Sequence, residues 1–130
     1  MIKIYLIDQD PEFRKSEEAW LRDGARVRGI DDNLTFFHLS SPGDFVSLLR
    51  SQNGDSARTL TVTDQIKAVR FAKVVKSPPI FYDAGFNLES RGKKAIRFGA
   101  VGYFGKRNKY DEVHFTDLAL EILQNGSNPH

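Results

Sequence analysis

The sequence has 130 residues, no cysteine and a formal net charge of only +2 at pH 7. Without cysteine the chain has no disulfide bond, thiolate metal site or cysteine nucleophile, and we expect it in the reducing cytoplasm. The small charge gives no reason to expect direct nucleic-acid binding. Hydrophobic residues make up 40% of the chain, which is enough for one domain core, and no apolar run is long enough to span a membrane.

The N-terminal segment predicts a strand followed by a helix. Ile2 to Ile7 is an apolar run typical of a buried strand. Asp10 and Pro11 are typical of a helix start, because aspartate caps the first N–H groups and proline lacks one of them. The helix is expected to run to about Asp23 and to end at Gly24.

The next segment repeats this pattern. Residues 34–39 (LTFFHL) predict a second strand, and Ser41-Pro42 predicts the start of a second helix. We expect residues 53–57 to form a turn. The β-branched run at residues 59–63 (TLTVT) predicts a third strand that ends at Asp64.

The remaining residues predict three more helices and two more strands. In chain order these are a helix over 66–76, a strand over 80–82, a helix over 87–98, a strand over 102–104 and a helix over 110–123. We expect one domain over residues 1–124 and a flexible tail over 125–130. Five strands that alternate with five helices are typical of a parallel sheet covered on both faces.

In such sheets the functional site lies beyond the carboxyl ends of the strands. The first strand is followed by Asp8, Gln9 and Asp10, the third and fourth end in Asp64 and Asp83, and the fifth is followed by Lys106. If the first and third strands are adjacent, we expect Asp8, Asp10 and Asp64 to converge near Lys106. Clustered carboxylates suit Mg²⁺, and a lysine beside them suits an anionic oxygen. The pattern therefore predicts a phosphoryl-acceptor site.

Two segments resemble the receiver domain of two-component response regulators. Residues 4–13 (IYLIDQDPEF) are similar to the first strand and acidic pocket of that family, and residues 79–106 are similar to its C-terminal half. The most specific match is the run GAVGYFGK at residues 99–106. The resemblance implies a flavodoxin-like (βα)5 fold with strand order 2-1-3-4-5 and a role in phosphorelay signal transduction and transcription regulation.

The resemblance also implies roles for single residues. Asp64 matches the phosphoacceptor, Asp8 the first acid of the metal pocket, and Lys106 the lysine that contacts the phosphoryl group. Tyr103 matches the aromatic switch residue. The implied partner is a histidine kinase or another signalling protein, and a homodimer is implied through the face formed by helix 4, strand 5 and helix 5.

The sequence departs from the family pattern around this site. Gln9 replaces the second acid, so we expect only weak Mg²⁺ binding. Asp83 stands where the family has a threonine or serine, and we expect it to repel a phosphoryl group or to pair with Lys106. The proline and glycine of the family's loop are missing after Asp64, and Arg107 replaces a proline.

Three hypotheses follow from these observations. The first is an atypical receiver, not an enzyme, that acts through protein contacts with impaired or absent phosphorylation. The second is a conventional receiver phosphorylated on Asp64. The third is a small phosphatase that uses Asp8 as nucleophile and Asp10 as acid and base.

Two basic clusters remain. Cations recur at every third residue of the predicted third helix, which indicates a solvated face, a contact with an acidic protein partner or an auxiliary nucleic-acid contact: Lys67, Arg70, Lys73 and Lys76. A second cluster lies between the fourth and fifth helices, on the surface where the resemblance implies docking of partners: Arg91, Lys94, Arg97, Arg107 and Lys109.

Overall fold

The computed structural model of the chain describes residues 1–52, 58–85 and 87–125. Within these residues five strands alternate with five α-helices. The strands are β1 (Ile2–Ile7), β2 (Leu34–Leu39), β3 (Arg58–Thr63), β4 (Pro79–Asp83) and β5 (Gly102–Gly105). The helices are α1 (Pro11–Val27), α2 (Pro42–Ser51), α3 (Ile66–Val74), α4 (Leu88–Arg97) and α5 (Lys109–Asn125), and one 3₁₀ turn covers Asp31–Asn33.

The strands form one parallel sheet in the order β2-β1-β3-β4-β5, which confirms the predicted fold class. Alternate residues of β1 point to opposite faces, as the two-residue period of a strand requires. Ile4 and Leu6 pack in the cluster with α1 and α5, whereas Tyr5 and Ile7 pack with α2 and α3. Helices therefore cover both faces of the sheet.

The first helix does not end at Gly24, as the sequence predicts, but continues to Val27. A Cβ on Gly24 would lie 2.4 Å from Leu120 Cδ1, so this glycine allows α1 and α5 to pack closely. The chain leaves the helix at Gly29, whose φ of 71° lets the Ile30 N–H bond back to the Ala25 carbonyl at 3.0 Å. The stop signal is therefore Gly29.

The other element boundaries differ from prediction by one or two residues, as helix and strand ends commonly do. The largest differences are at the C-terminal ends of α3, which ends at Val74 instead of residue 76, and of α5, which ends at Asn125 instead of residue 123. The predicted turn at 53–57 and residues 126–130 of the predicted tail lie outside the described residues. Among the described residues, no helix combines the length and apolar character that a membrane crossing needs.

Candidate functional site

The structure brings three of the predicted site residues together at the carboxyl edge of the sheet. Asp8 follows β1, Asp64 follows β3 and Lys106 follows β5. Lys106 Nζ lies 2.5 Å from Asp8 Oδ2 and 3.5 Å from Asp64 Oδ2. We call these three residues the acidic pocket. Their side chains are largely buried, with exposed fractions of 4% for Asp8, 16% for Asp64 and 12% for Lys106.

Protein groups occupy the carboxylate oxygens of the acidic pocket. The second oxygen of Asp8 accepts the Asp10 backbone N–H at 2.9 Å, and the second oxygen of Asp64 accepts Gln65 Nε2 at 3.1 Å. The Lys106 ammonium also lies over the Phe13 ring, 4.5 Å from its centroid. The lysine is thus fixed between two carboxylates and an aromatic face, and it neutralises part of their charge.

Burial and neighbouring charges act in opposite directions on the pKa values of the acidic pocket. Burial raises the pKa of Asp64, and repulsion from Asp8 raises it further, while Lys106 acts in the opposite direction. Burial favours a lower pKa for Lys106, but the hydrogen bond and charge of Asp8, with the charge of Asp64, leave its pKa raised. The lysine therefore remains charged at neutral pH, and the cluster holds two acids against one cation.

Asp10 and Gln9 do not take the positions that the sequence predicts for metal ligands. The Asp10 carboxylate caps α1 by accepting the N–H groups of Glu12 at 3.0 Å and Phe13 at 3.3 Å, and both Asp10 and Gln9 are exposed. The predicted convergence of three acids is therefore wrong, because the N-terminus of α1 competes for the third carboxylate. In the described part of the chain, no three His, Cys, Asp or Glu side chains could together hold a metal ion.

In this arrangement protein donors compete with Mg²⁺ for the carboxylates of the acidic pocket. A divalent ion needs several free oxygen ligands, whereas the Asp8 and Asp64 oxygens bind protein donors and the Lys106 ammonium bridges them. Mg²⁺ would have to displace the lysine to reach both carboxylates. The weak Mg²⁺ binding expected from Gln9 remains a prediction.

Asp83 pairs with Arg91 and not with Lys106, so the predicted Asp83–Lys106 ion pair is wrong. Arg91 Nε lies 2.8 Å from Asp83 Oδ2, and Arg91 Nη2 donates to the Asp64 backbone carbonyl at 3.0 Å. Lys106 contacts Asp83 only through its backbone N–H, which donates to the Asp83 carbonyl at 3.0 Å. Arg91 lies in the first turns of α4, from where its side chain reaches back over the end of β4.

Arg91 was predicted on the partner surface, and the structure instead ties it to the site. Its guanidinium connects the loop after β3 to the end of β4 and lies 5.6 Å from the centroid of the Phe81 ring. The sequence contains one signal for this role, because Arg91 follows Asp83 by eight residues at the start of the next helix. The rest of the predicted partner surface is exposed: Lys94, Arg97, Arg107 and Lys109.

Glu17 is a second residue that the sequence analysis did not identify. It lies on the core-facing stripe of α1 and is only 1% exposed. One of its carboxyl oxygens and the Tyr82 hydroxyl are buried without a hydrogen-bond partner among the described residues. Burial raises the pKa of Glu17 well above its usual value, and the charge of Asp8 raises it further. The spacing from Phe13, four residues earlier, could have placed Glu17 on the buried face.

Tyr103 packs on α4 and on a small cluster that contains Phe81 and Ala95. Gly92 makes room for its ring, because a Cβ on that glycine would lie 2.2 Å from Tyr103 Cδ2. The ring is partly buried against the helix. Whether it acts as a switch remains a prediction.

A cavity of about 250 Å³ opens beside the acidic pocket, between the loops that follow β4 and β5. Its lining includes residues 83–85 and 105–108. Asp83 is therefore at the entrance to Lys106, and any anion that approaches the lysine from this side meets a carboxylate.

Comparison of the chain with known structures finds receiver domains. The chain superposes with a TM-score of 0.72 on the signal receiver domain of a DNA-binding response regulator from Colwellia psychrerythraea 34H. The sequence identity is 13%, and the match covers 95% of this chain and 99% of that one. For the receiver domain of response regulator 1452 from Francisella the TM-score is 0.63, at 12% identity over 92% and 96% of the two chains.

A third similar structure is that of an atypical orphan response regulator described as having a phosphorylation-independent regulatory mechanism. Its TM-score is 0.65, at 16% identity over 97% of this chain and 99% of that one. Comparison with family models finds no match, and neither does comparison with curated proteins. The chain therefore has the receiver fold of response regulators, with sequence identity too low to carry function across.

Proposed function

We propose that this chain is an atypical receiver domain of two-component signalling that acts through protein contacts, with phosphorylation of Asp64 impaired or absent. The observation that carries the proposal is the Asp83–Arg91 ion pair at the end of β4. In the receiver family that the sequence resembles, the position of Asp83 holds a threonine or serine hydroxyl that donates to the phosphoryl group. Here it holds a carboxylate that is kept in place by an arginine.

The electrostatics of the site support impaired phosphorylation. A phosphoryl group on Asp64 would replace a carboxylate charge of −1 by a charge of about −1.5 to −2 at pH 7, so the site would become more negative by about 0.5 to 1 charge. The two cations beside it are already paired, Lys106 with Asp8 at 2.5 Å and Arg91 with Asp83 at 2.8 Å. A Mg²⁺ ion that would offset the added charge at both Asp8 and Asp64 must first displace Lys106.

The structural neighbour with a phosphorylation-independent mechanism shows that the receiver fold can carry such regulation in another protein. For this chain we propose a binding output, no enzymatic activity and a cytoplasmic location. The proposed partner is a histidine kinase or another signalling protein. The face formed by α4, β5 and α5 is proposed for docking or homodimer formation, because it exposes Ile96 at 44%, Tyr110 at 79% and Val113 at 59% beside its cations.

The direct test is incubation with a small-molecule phosphodonor, with and without Mg²⁺, followed by intact mass and peptide mapping. We expect no phosphoryl adduct on the unchanged protein. The variant Asp83→Thr should gain a Mg²⁺-dependent adduct on Asp64, because it replaces the repelling carboxylate with a hydroxyl. Adding Asp64→Asn to that variant should abolish the adduct.

Two results would contradict the proposal. A Mg²⁺-dependent adduct on Asp64 of the unchanged protein would support the conventional phosphorelay hypothesis. An adduct on Asp8 would support the phosphatase hypothesis, which the structure does not favour because the Asp10 carboxylate caps α1.

A further inference from the structure

A groove between α2 and α3 shares no lining residue with the acidic pocket. Its volume is about 410 Å³. We call it the α2–α3 groove, and its lining residues are Pro42, Gly43, Val46, Lys67, Arg70, Phe71 and Val74. Most of this lining is apolar, and Val74 is 76% exposed. An apolar surface that remains open to solvent in a folded domain is typical of a binding site.

Two cations, Lys67 and Arg70, border this groove without neutralisation by acids, and Lys73 and Lys76 follow them in the sequence. In the described residues, none of these four exposed cations forms an ion pair with a carboxylate: Lys67, Arg70, Lys73 and Lys76. Arg70 is held 4.8 Å from the centroid of the Phe98 ring. Lys73 packs on Gly99, where a Cβ would lie 2.9 Å from its Cγ and Cδ atoms. Two of the cations are therefore held in place by neighbouring groups.

We propose that the α2–α3 groove binds an acidic amphipathic segment of a partner protein. Apolar side chains of that segment would contact Val46, Phe71 and Val74, and its carboxylates would pair with the bordering cations. The apolar lining favours such a segment over nucleic acid, whose phosphates need cations alone and whose bases need exposed aromatic rings. The proposal concerns a different surface from the acidic pocket, and it holds whether or not Asp64 is phosphorylated.

The test uses fluorescence anisotropy with labelled helical peptides of about 18 residues, which span about 27 Å. The first peptide carries leucine on one face and glutamate on the flanks. The second has lysine in place of glutamate, and the third has serine in place of leucine. We expect the first peptide to bind and the other two to bind at least about tenfold more weakly, since both charge and apolar contact are required.

Variants of the chain locate the binding surface. Lys67→Glu combined with Arg70→Glu should weaken the first peptide by about tenfold or more, whereas the charge-matched control Lys15→Glu combined with Arg26→Glu, at exposed positions of α1, should not. Val74→Ser should also weaken binding, and because this side chain is exposed, the variant should fold normally.

Each of the following results would overturn the proposal. These are no binding of the acidic peptide, equal binding of the lysine peptide, an equal loss in the α1 control, or tighter binding of a labelled oligonucleotide. Phosphorylation of Asp64 is measured separately, so its result does not affect this test.

Discussion

Gly92 gives a prediction in which two opposing effects can be compared. Gly92→Ala in the middle of α4 should gain about 0.8–1.0 kcal/mol from helix propensity. The new Cβ would, however, lie 2.2, 2.4 and 2.6 Å from three ring atoms of Tyr103, whereas carbon atoms in contact are about 3.5–4.0 Å apart. The ring must therefore move by more than an ångström, out of its contacts with α4. Overpacking of this kind typically costs about 1–3 kcal/mol.

The clash should exceed the propensity gain, so we expect Gly92→Ala to lower the free energy of unfolding by about 1 kcal/mol. In a Tyr103→Ala background the obstacle is absent, and the same substitution should stabilise the protein by up to about 1 kcal/mol. The two effects differ by about 2 kcal/mol, which is the coupling between the residues. Gly43→Ala in α2 is a matched control, because its nearest neighbouring atom would be 3.7 Å from the new Cβ.

The assay is urea unfolding followed by the fluorescence of Trp20, the single tryptophan of the chain. The four proteins of the Gly92–Tyr103 cycle are compared at one pH and one temperature. If Gly92→Ala has the same effect with and without the Tyr103 ring, the close packing of the ring on α4 is not what requires a glycine. Stabilisation in both backgrounds would refute the reasoning in the same way.

Three further predictions follow from buried groups. Glu17→Gln should raise the free energy of unfolding at pH 7.5 by about 1.4 kcal/mol for each unit by which the pKa of Glu17 is raised in the folded state. At pH 4 it should leave the free energy of unfolding nearly unchanged. The sign follows because the folded-state pKa of Glu17 is raised, so stability falls as pH rises above the unfolded value; equal effects at both pH values in urea unfolding would contradict it. Gly24→Ala should destabilise the protein by about 1 kcal/mol, because overpacking against Leu120 exceeds the gain in helix propensity, and an unchanged urea midpoint would argue against close α1–α5 packing. Arg91→Ala should lower the urea midpoint, because it removes the cation paired with the largely buried Asp83 carboxylate, and the same substitution in an Asp83→Asn background should have a smaller effect; equal losses in both backgrounds would show that Arg91 acts by packing alone.

The predictions that the structure confirms depend on interactions close together in the sequence. The Asp10 cap with Pro11 correctly marks the start of α1, because the capping carboxylate reaches only the next two or three N–H groups. The alternation of apolar runs with amphipathic stretches predicts the strands and helices, since a two-residue or 3.6-residue period reports which face is buried. The resemblance in residues 99–106 then supplied the strand order, which local periodicity does not contain.

The side-chain pairings could not be predicted in this way. Asp83 and Lys106 both follow strands that lie side by side, yet Asp83 pairs with Arg91 because α4 begins close enough for that arginine to reach back over β4. Glycine is typical of a helix end, but Gly24 lies inside α1, where it leaves room for Leu120 of α5. Both outcomes depend on where a helix packs, and no local pattern encodes that distance.

The sequence by itself determined the parallel (βα)5 class and the presence of acids and a lysine at the strand ends. The tertiary structure alone decided that Lys106 lies between Asp8 and Asp64, that Asp10 serves the helix and that Glu17 is buried beneath them. The physical reason is that secondary structure follows from contacts within a few residues. A charged site, by contrast, depends on distances of a few ångströms between residues far apart in the chain.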